Sequence, residues 1–460
     1  MGWQDYQKKN YSSPRKGIGR YWVWGVLTLA GISTATFFVD GSMVNASNIS
    51  ALKVLDDQDL APTPKMPVTP ATLQKPFDEY MQLSELSVGP KVVKVHKNDQ
   101  DLLFRLSFDS ELQAFVDRRL EHYRVDWAGV TIMDPTRGAV LALSSYSSLE
   151  PDRDCLYSKS IFPAASVFKI VTASAAISEA GLNPMTTVRY AGYPQKLRKN
   201  YLPLTGGVDV SLEKAFAQSA NGIFGKVGIK YLNQKKIASH ADSLGFNQSI
   251  PFDFSMDVSS INYDGIGKDD FELAKLAAGF GDVQLSPIHG AMIAGSIFHQ
   301  GVMMEPYLVE NVYHASGKMV YQQDIKPWKV AMAPKVAKQM QTMMRETVET
   351  GTARRSFHGL LDRSSFSQMK VGGKTGSLTS KDPKGRNEWF VGYASLDGRP
   401  IAFGIVIVSQ KYWKVKPAEL AKQIIQYYYS RSSDTKALES TEVAMIGPQP
   451  EMAHGKKQKS

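Results

Sequence analysis

The chain holds a single cysteine, Cys155, among 460 residues. That excludes an intrachain disulfide and any CxxC-type metal site. Its eight histidines are scattered, with no HExxH or other close ligand pair, so metal-independent chemistry without a cofactor is expected. Dense Arg/Lys blocks interleaved with aromatics are also missing. The formal charge of +10 and pI near 9.2 would suit an anionic partner such as a membrane surface or acidic polymer, but nucleic acid is not expected. No internal repeat is found.

One stretch lacks charge altogether. Residues 21–39, "YWVWGVLTLAGISTATFFV", would form a helix of roughly 28 Å against a hydrocarbon core of roughly 30 Å. Lys8, Lys9, Arg15, Lys16 and Arg20 precede it. The excess of cations before the span predicts a cytoplasmic N-terminus and an exterior remainder. The other reading is a cleaved signal peptide, with "VNA" at 44–46 as a poor cleavage site. The expected organisation is a cytoplasmic basic segment at 1–20, a transmembrane anchor at 21–39, a Pro- and Thr-rich spacer or short pedestal at 40–103, a globular domain at 104–431, and a mobile tail at 432–460.

What is plentiful is apolar residue: 43% hydrophobic and 10% aromatic, ample for a large core. The globular region opens with an amphipathic helix, "SELQAFVDRRLEHY", then two strands, "AGVTIMD" and "AVLALSS", joined by the "PTRG" turn. It closes with strand, D-G turn and strand in "EWFVGYASLDGRPIAFGIVIVSQ", then the helix "PAELAKQIIQYYY". Residues 163–350 read as mostly helical, with Ser286 as an N-cap and Pro287 in the first turn of one helix. Strands from both ends around inserted helices predict an antiparallel sheet beside a helical subdomain, with a site in the cleft between.

Within "FPAASVFKIVTASAAIS", Lys169 sits on a helix that is apolar on nearly every face. Burying an ammonium there is costly, and desolvation pushes the amine toward its neutral form. Ser166 lies three residues earlier on the same face, so the pair reads as a nucleophile with its base. The pattern S-x-x-K alone is common here, at Ser13, Ser50, Ser211, Ser367 and Ser433 as well. Two further motifs single out Ser166: "SAN" at Ser219–Asn221, and "KTGS" at Lys374–Ser377, which occurs once and follows two glycines. Taken singly, Lys169 could snorkel from a helix end, Ser219 and Asn221 could cap, and Lys374 could be an edge-strand charge.

Together and in this order, S-x-x-K, S-x-N and K-T-G resemble the penicillin-binding transpeptidase and serine β-lactamase superfamily. The resemblance covers about 104–431 and includes "DPTRGAVLALSS", "FELAKLAAGFGDVQLSPIHGAMIAGSIFHQGVMMEPYLV" and "NEWFVGYAS". It implies an α+β fold of the penicillin-binding-protein/β-lactamase type: a five-stranded antiparallel sheet flanked by helices, a helical subdomain, and a single N-terminal transmembrane helix. It further implies Ser166 as the acylated nucleophile, Lys169 as its base, Ser219 as proton relay and Asn221 as holder of a substrate amide. Lys374 would be the fifth catalytic residue, polarising the site and with Thr375 binding the substrate carboxylate, and Thr375, Gly376 and Ser377 would bind substrate. The N–H groups of Ser166 and Ser377 would form the oxyanion hole.

The activity implied is peptidoglycan D,D-transpeptidation of D-Ala-D-Ala stem peptides in the periplasm or exterior, with β-lactams acylating Ser166. Other implied partners are the cytoplasmic (inner) membrane and cell-wall polymerase, divisome or elongasome proteins. D,D-carboxypeptidation and β-lactamase action are the alternatives. No Glu-x-x-x-Asn of the class A kind lies between the second and third motifs, and the residue two after Ser219 is Asn221 rather than the Val of class D β-lactamases. A reading from another class is a catalytically silent scaffold of cell-wall assembly. The chain departs from the family pattern in a spacer short for the non-catalytic module of class B members, and in "KTGS" for the commoner "KTGT". "LPLTG" at Leu202–Gly206 reads as a loop.

Overall fold

The computed structural model describes residues 73–431, apart from 87, 88, 99, 152, 154, 267 and 268, together with two short strands near the N-terminus. The chain divides into two units, Met1–Pro70 and Ala71–Ser460. In the first, Phe37–Val39 pairs antiparallel with Ser42–Val44. The last three residues of the expected membrane helix are therefore strand, as their aromatic and β-branched side chains favour. Residues 21–36 lie outside the described residues, as do the segments 1–20 and 432–460. Among the described residues no helix is long and apolar enough to cross a membrane.

In the second unit, a sheet of five strands is antiparallel throughout. Its order across the sheet is Lys370–Lys381, Lys384–Leu396, Arg399–Ser409, Trp127–Met133, Val140–Ser147. The two ends of the globular region meet where Arg399–Ser409 pairs with Trp127–Met133. The KTGS motif lies on the first strand, at the sheet edge. On one face, Leu112, Val116 and Leu120 of the helix Ser110–Tyr123 and Leu420 and Ile424 of the helix Pro417–Ser430 cover Phe403, Ile405 and Ile407. On the other lies the helix Pro287–Phe298, capped by the Ser286 hydroxyl with Pro287 in its first turn, as expected. It comes so close that a Cβ on Gly404 would stand 2.0 Å from the Pro287 carbonyl; only glycine permits that approach.

The helical subdomain contains Lys169–Ala180, Leu212–Ala217, Asn221–Tyr231, Gln234–Ser243, Asp270–Ala277 and Pro334–Glu349. It is less purely helical than expected. Antiparallel pairs of Thr187–Tyr190 with Val208–Ser211, and of Val302–Met304 with Pro327–Val330, interrupt it.

Within the segment expected as a spacer or short pedestal, 40–103, the chain is folded from Leu73 onward. Val92–Lys97 and Gln100–Leu106 form a four-stranded sheet with Val309–His314 and Met319–Gln322. Phe77, Met81, Leu86 and Phe104 are buried in its core with Phe252 and Leu308. A buried carboxylate fastens this region. Asp253 pairs with Lys75 at 2.8 Å and accepts from the N–H groups of Leu308 at 2.5 Å and Val309 at 2.6 Å.

Candidate active site

The nucleophile-bearing segment is pinned before it is shaped. Phe162–Pro163 pairs with Gln284–Leu285, the Ala164 N–H donates to the Val283 carbonyl, and the buried Trp389 indole donates to the Pro163 carbonyl at 2.9 Å. Ala165 then takes a φ of +50°, a left-handed conformation costing roughly 1–2 kcal/mol outside glycine. The helix expected to begin at Ser166 starts as a 3₁₀ turn, Ala165–Phe168, and becomes α-helical at Lys169. Gly279, at φ +85°, makes room for the bend: a Cβ there would lie 2.1 Å from the Ala165 carbonyl and 3.2 Å from the Ser166 nitrogen.

Lys169 is fully buried. Its Nζ lies 2.8 Å from Ser166 Oγ, 2.7 Å from Asn221 Oδ1 and 2.6 Å from the Ala278 carbonyl. The Asn221 amide is oriented by its own Nδ2, which donates to the Gln195 carbonyl at 3.1 Å. Asn221 Oδ1 and the Ala278 oxygen only accept, so they take the two N–H groups of a neutral amine. The remaining lone pair then faces the Ser166 hydroxyl. Burial, and next the charge of Lys374, hold the Lys169 amine well below its ordinary range.

Ser219 is the turn between the helices Leu212–Ala217 and Asn221–Tyr231, with φ +56°. Its Oγ accepts from Lys374 Nζ at 3.1 Å, and the same ammonium donates to the Thr375 carbonyl at 2.9 Å. Lys374 is also fully buried, and burial pulls its amine down to about 7. Two buried lysines thus meet two hydroxyls, one within the nucleophile segment and one between the KTGS strand and the Ser219 turn.

Four of the five residues expected at the centre meet in pairs: Ser166 with Lys169, and Ser219 with Lys374. Asn221 joins the first pair through Lys169. Its side chain is engaged by protein at both ends, so holding a substrate amide requires it to give up Gln195. Gly376 lets the strand approach the nucleophile turn, since a Cβ there would be 3.2 Å from the Ala164 carbonyl. The hydroxyls of Thr375 and Ser377 face Thr352 and Arg386. Thr352 Oγ1 lies 2.5 Å from Thr375 Oγ1, and Arg386 Nε donates to Ser377 Oγ at 2.7 Å. Sequence reading missed Thr352, Arg386, Gly279 and the Ala278 carbonyl. Of these only Gly279, in "AAGFGD", left a signal. Among the described residues no group of His, Cys, Asp and Glu could hold a metal ion.

A family model for the penicillin binding protein transpeptidase domain matches residues 128–426. The peptidoglycan D,D-transpeptidase PbpA of Mycolicibacterium smegmatis is 23% identical over 315 residues, 60% of this chain and 61% of that one. The chain therefore spans about three fifths of the length of this curated relative. The D,D-transpeptidase domain of a peptidoglycan glycosyltransferase from Eggerthella lenta superposes with a TM-score of 0.55 at 22% identity, covering 74% of this chain and 84% of that chain. Penicillin-binding protein A of M. tuberculosis, as its imipenem acyl-enzyme, does so with a TM-score of 0.57 at 19% identity, covering 70% and 79%. These likenesses carry the fold, and the matched domain model covers well over half of the sequence: the chain belongs to the penicillin-binding protein transpeptidase domain family.

Proposed function

We propose that this protein is a serine D,D-transpeptidase that cross-links peptidoglycan stem peptides ending in D-Ala-D-Ala. The observation that carries the reading is the fully buried Lys169 Nζ 2.8 Å from Ser166 Oγ, with Asn221 Oδ1 and the Ala278 carbonyl as its other two partners. A buried amine with both N–H groups committed is a general base already in its working state.

In this mechanism Lys169 takes the Ser166 proton as Oγ bonds to the carbonyl carbon of the penultimate D-Ala. The negative charge on the carbonyl oxygen is met by the N–H groups of Ser166 and Ser377. The C–N bond to the terminal D-Ala then breaks. The departing amine leaves with the proton taken from Ser166, delivered through the Ser219 hydroxyl. An amine of a second stem peptide attacks the ester and gives a proton to the base, which passes it to Ser166 Oγ as the acyl C–O bond breaks. Lys374, Thr375, Gly376 and Ser377 form the wall that holds the terminal carboxylate, and the Arg386 guanidinium supplies a further cation there. As an edge strand, Lys370–Lys381 has a free side along which an extended peptide adds.

The uncharged run from Tyr21 up to the strand Phe37–Val39, preceded by five cations, supports an anchor in the cytoplasmic membrane, with the catalytic unit on the outer side where peptidoglycan lies. β-Lactams, as mimics of the terminal dipeptide, acylate the same serine. Cell-wall polymerase, divisome or elongasome proteins are the partners this placement suits.

The test is incubation of the purified full chain with a fluorescent penicillin beside Ser166→Ala, with mass spectrometry to place and time any adduct. A long-lived adduct on Ser166, absent from the variant, is expected. Rapid turnover would make the protein a β-lactamase. No adduct on folded protein would bring forward a silent scaffold. Release of D-Ala to water rather than to an amine would make it a carboxypeptidase.

A further inference from the structure

Thr352 belongs to none of the three motifs. It lies in the turn between the helix Pro334–Glu349 and the short helix Arg354–Phe357. Its backbone N–H donates to the Ala217 carbonyl at 3.0 Å, at the end of the helix that leads into Ser219. Gly351 beside it presses on that same carbonyl, which a Cβ would approach to 2.3 Å. Its hydroxyl lies 2.5 Å from the hydroxyl of Thr375. One residue is thus tied to the turn carrying Ser219 and to the strand carrying Lys374.

The hydroxyl pair has a direction. Each hydroxyl has one proton to donate, so within the pair only one of the two can donate to the other. A carboxylate has none to give. When Thr375 donates to a carboxylate it must therefore accept from Thr352, and the chain of donors runs from Thr352 to Thr375 to the ligand. A hydroxyl polarised in this way is a better donor than a free one. Without Thr352, Thr375 Oγ1 is free to rotate among its staggered positions and loses that preference.

We propose that Thr352 is a positioning residue, whose hydroxyl donates to Thr375 Oγ1 and so aims the Thr375 proton at the terminal carboxylate of the substrate. This rests on the transpeptidase reading above. It adds that recognition of the carboxylate depends on a residue outside the motif that touches it.

The experiment compares acylation rates of the full-length wild type, Thr352→Val and Thr352→Ser with benzylpenicillin and with its methyl ester, which presents no carboxylate. Thermal melts are run alongside to verify folding. Thr352→Val should slow acylation by benzylpenicillin about three- to tenfold, the size of one hydroxyl hydrogen bond. Thr352→Ser, which keeps the donor, should stay close to wild type. With the ester, Thr352→Val and wild type should react alike. Should valine not fit, Thr352→Ala carries the same expectation. Equal rates with benzylpenicillin overturn the proposal, and so does an equal loss with acid and ester, which would make Thr352 a strut and nothing more. A wild type that takes no adduct would bring down the transpeptidase reading and this inference with it. That outcome is distinct from an acylated wild type indifferent to Thr352.

Discussion

Lys374 Nζ and Ser219 Oγ stand 3.1 Å apart, with the lysine wholly enclosed. The contact ties the KTGS strand to the helical subdomain, and it places a proton-binding group where solvent does not reach. The stability of the fold must therefore depend on pH in a particular sense.

The unfolded chain holds the Lys374 proton up to about 10.4, whereas burial brings the folded group down to about 7. Below 7 both states are protonated and the burial cost is fully present. Between 7 and the unfolded value the unfolded state binds more protons, so stability rises with pH. Urea melts of wild type against Lys374→Met at pH 6, 8 and 9.5 should show the wild type gaining roughly 3–5 kcal/mol relative to the variant across that window. Parallel curves would mean that the folded lysine titrates as an exposed one does.

Replacing Lys169 by Gln keeps a polar side chain but removes the base. Acylation by penicillin should fall by about 10²- to 10⁴-fold, the usual worth of a positioned general base, while the melting behaviour stays cooperative. A variant acylated at the wild-type rate would mean that another group takes the Ser166 proton.

Gly279→Ala puts a methyl group against the Ala165 carbonyl, in a conformation with φ +85°. It should destabilise by about 2–4 kcal/mol and slow acylation on the order of tenfold or more, because the serine shifts with the bend. Gly181 is the control: its φ is +65° but nothing lies within 4 Å of a Cβ there. Gly181→Ala should cost only about 1 kcal/mol and leave the acylation rate alone. If both substitutions act alike, the close approach at Gly279 has no special bearing on the nucleophile.

Arg386→Ala removes the cation beside Ser377. A charged hydrogen bond of this kind contributes about 1.5–3 kcal/mol, so acylation by carboxylate-bearing penicillins should weaken by more than tenfold. The rate should rise less steeply than in wild type when salt is lowered. An unchanged salt dependence would remove Arg386 from carboxylate recognition.

Asp253→Ala leaves two N–H groups and Lys75 without their shared acceptor. Breaking a buried pair in this way costs about 3–5 kcal/mol. The added cleavage under limited proteolysis should fall within residues 73–106, and cleavage elsewhere would show that Asp253 holds some other part of the fold.

The central machinery was legible because it is local. Ser166 and Lys169 share one helical face, and a lysine among V, F, I and A side chains signals its own burial. The hairpin strands at both ends announced themselves by apolar runs around Gly-containing turns. For the segment after Leu73 the sequence leaves spacer and pedestal both open, because "VVKVHK" half-buries a single face and the sheet it enters is completed by residues 309–322, some two hundred positions later. Thr352 and Arg386 were invisible for a related reason. Arg386 reaches Ser377 diagonally across the register that pairs it with Thr379, and Thr352 reaches Thr375 only once the helix Pro334–Glu349 has packed on the KTGS strand. Neither relation leaves a pattern along the chain.

The sheet order has a temporal side. Trp127–Met133 finds its inner neighbour only in Arg399–Ser409, and Ser219 finds its lysine at 374. A chain emerging from N- to C-terminus presents Ser166 and Lys169 together, but long before the strand that carries Lys374 and Thr375. Such closure between distant segments is slow. The pair that joins the helical subdomain to the sheet, Ser219 with Lys374, is thus completed only when the last strands arrive.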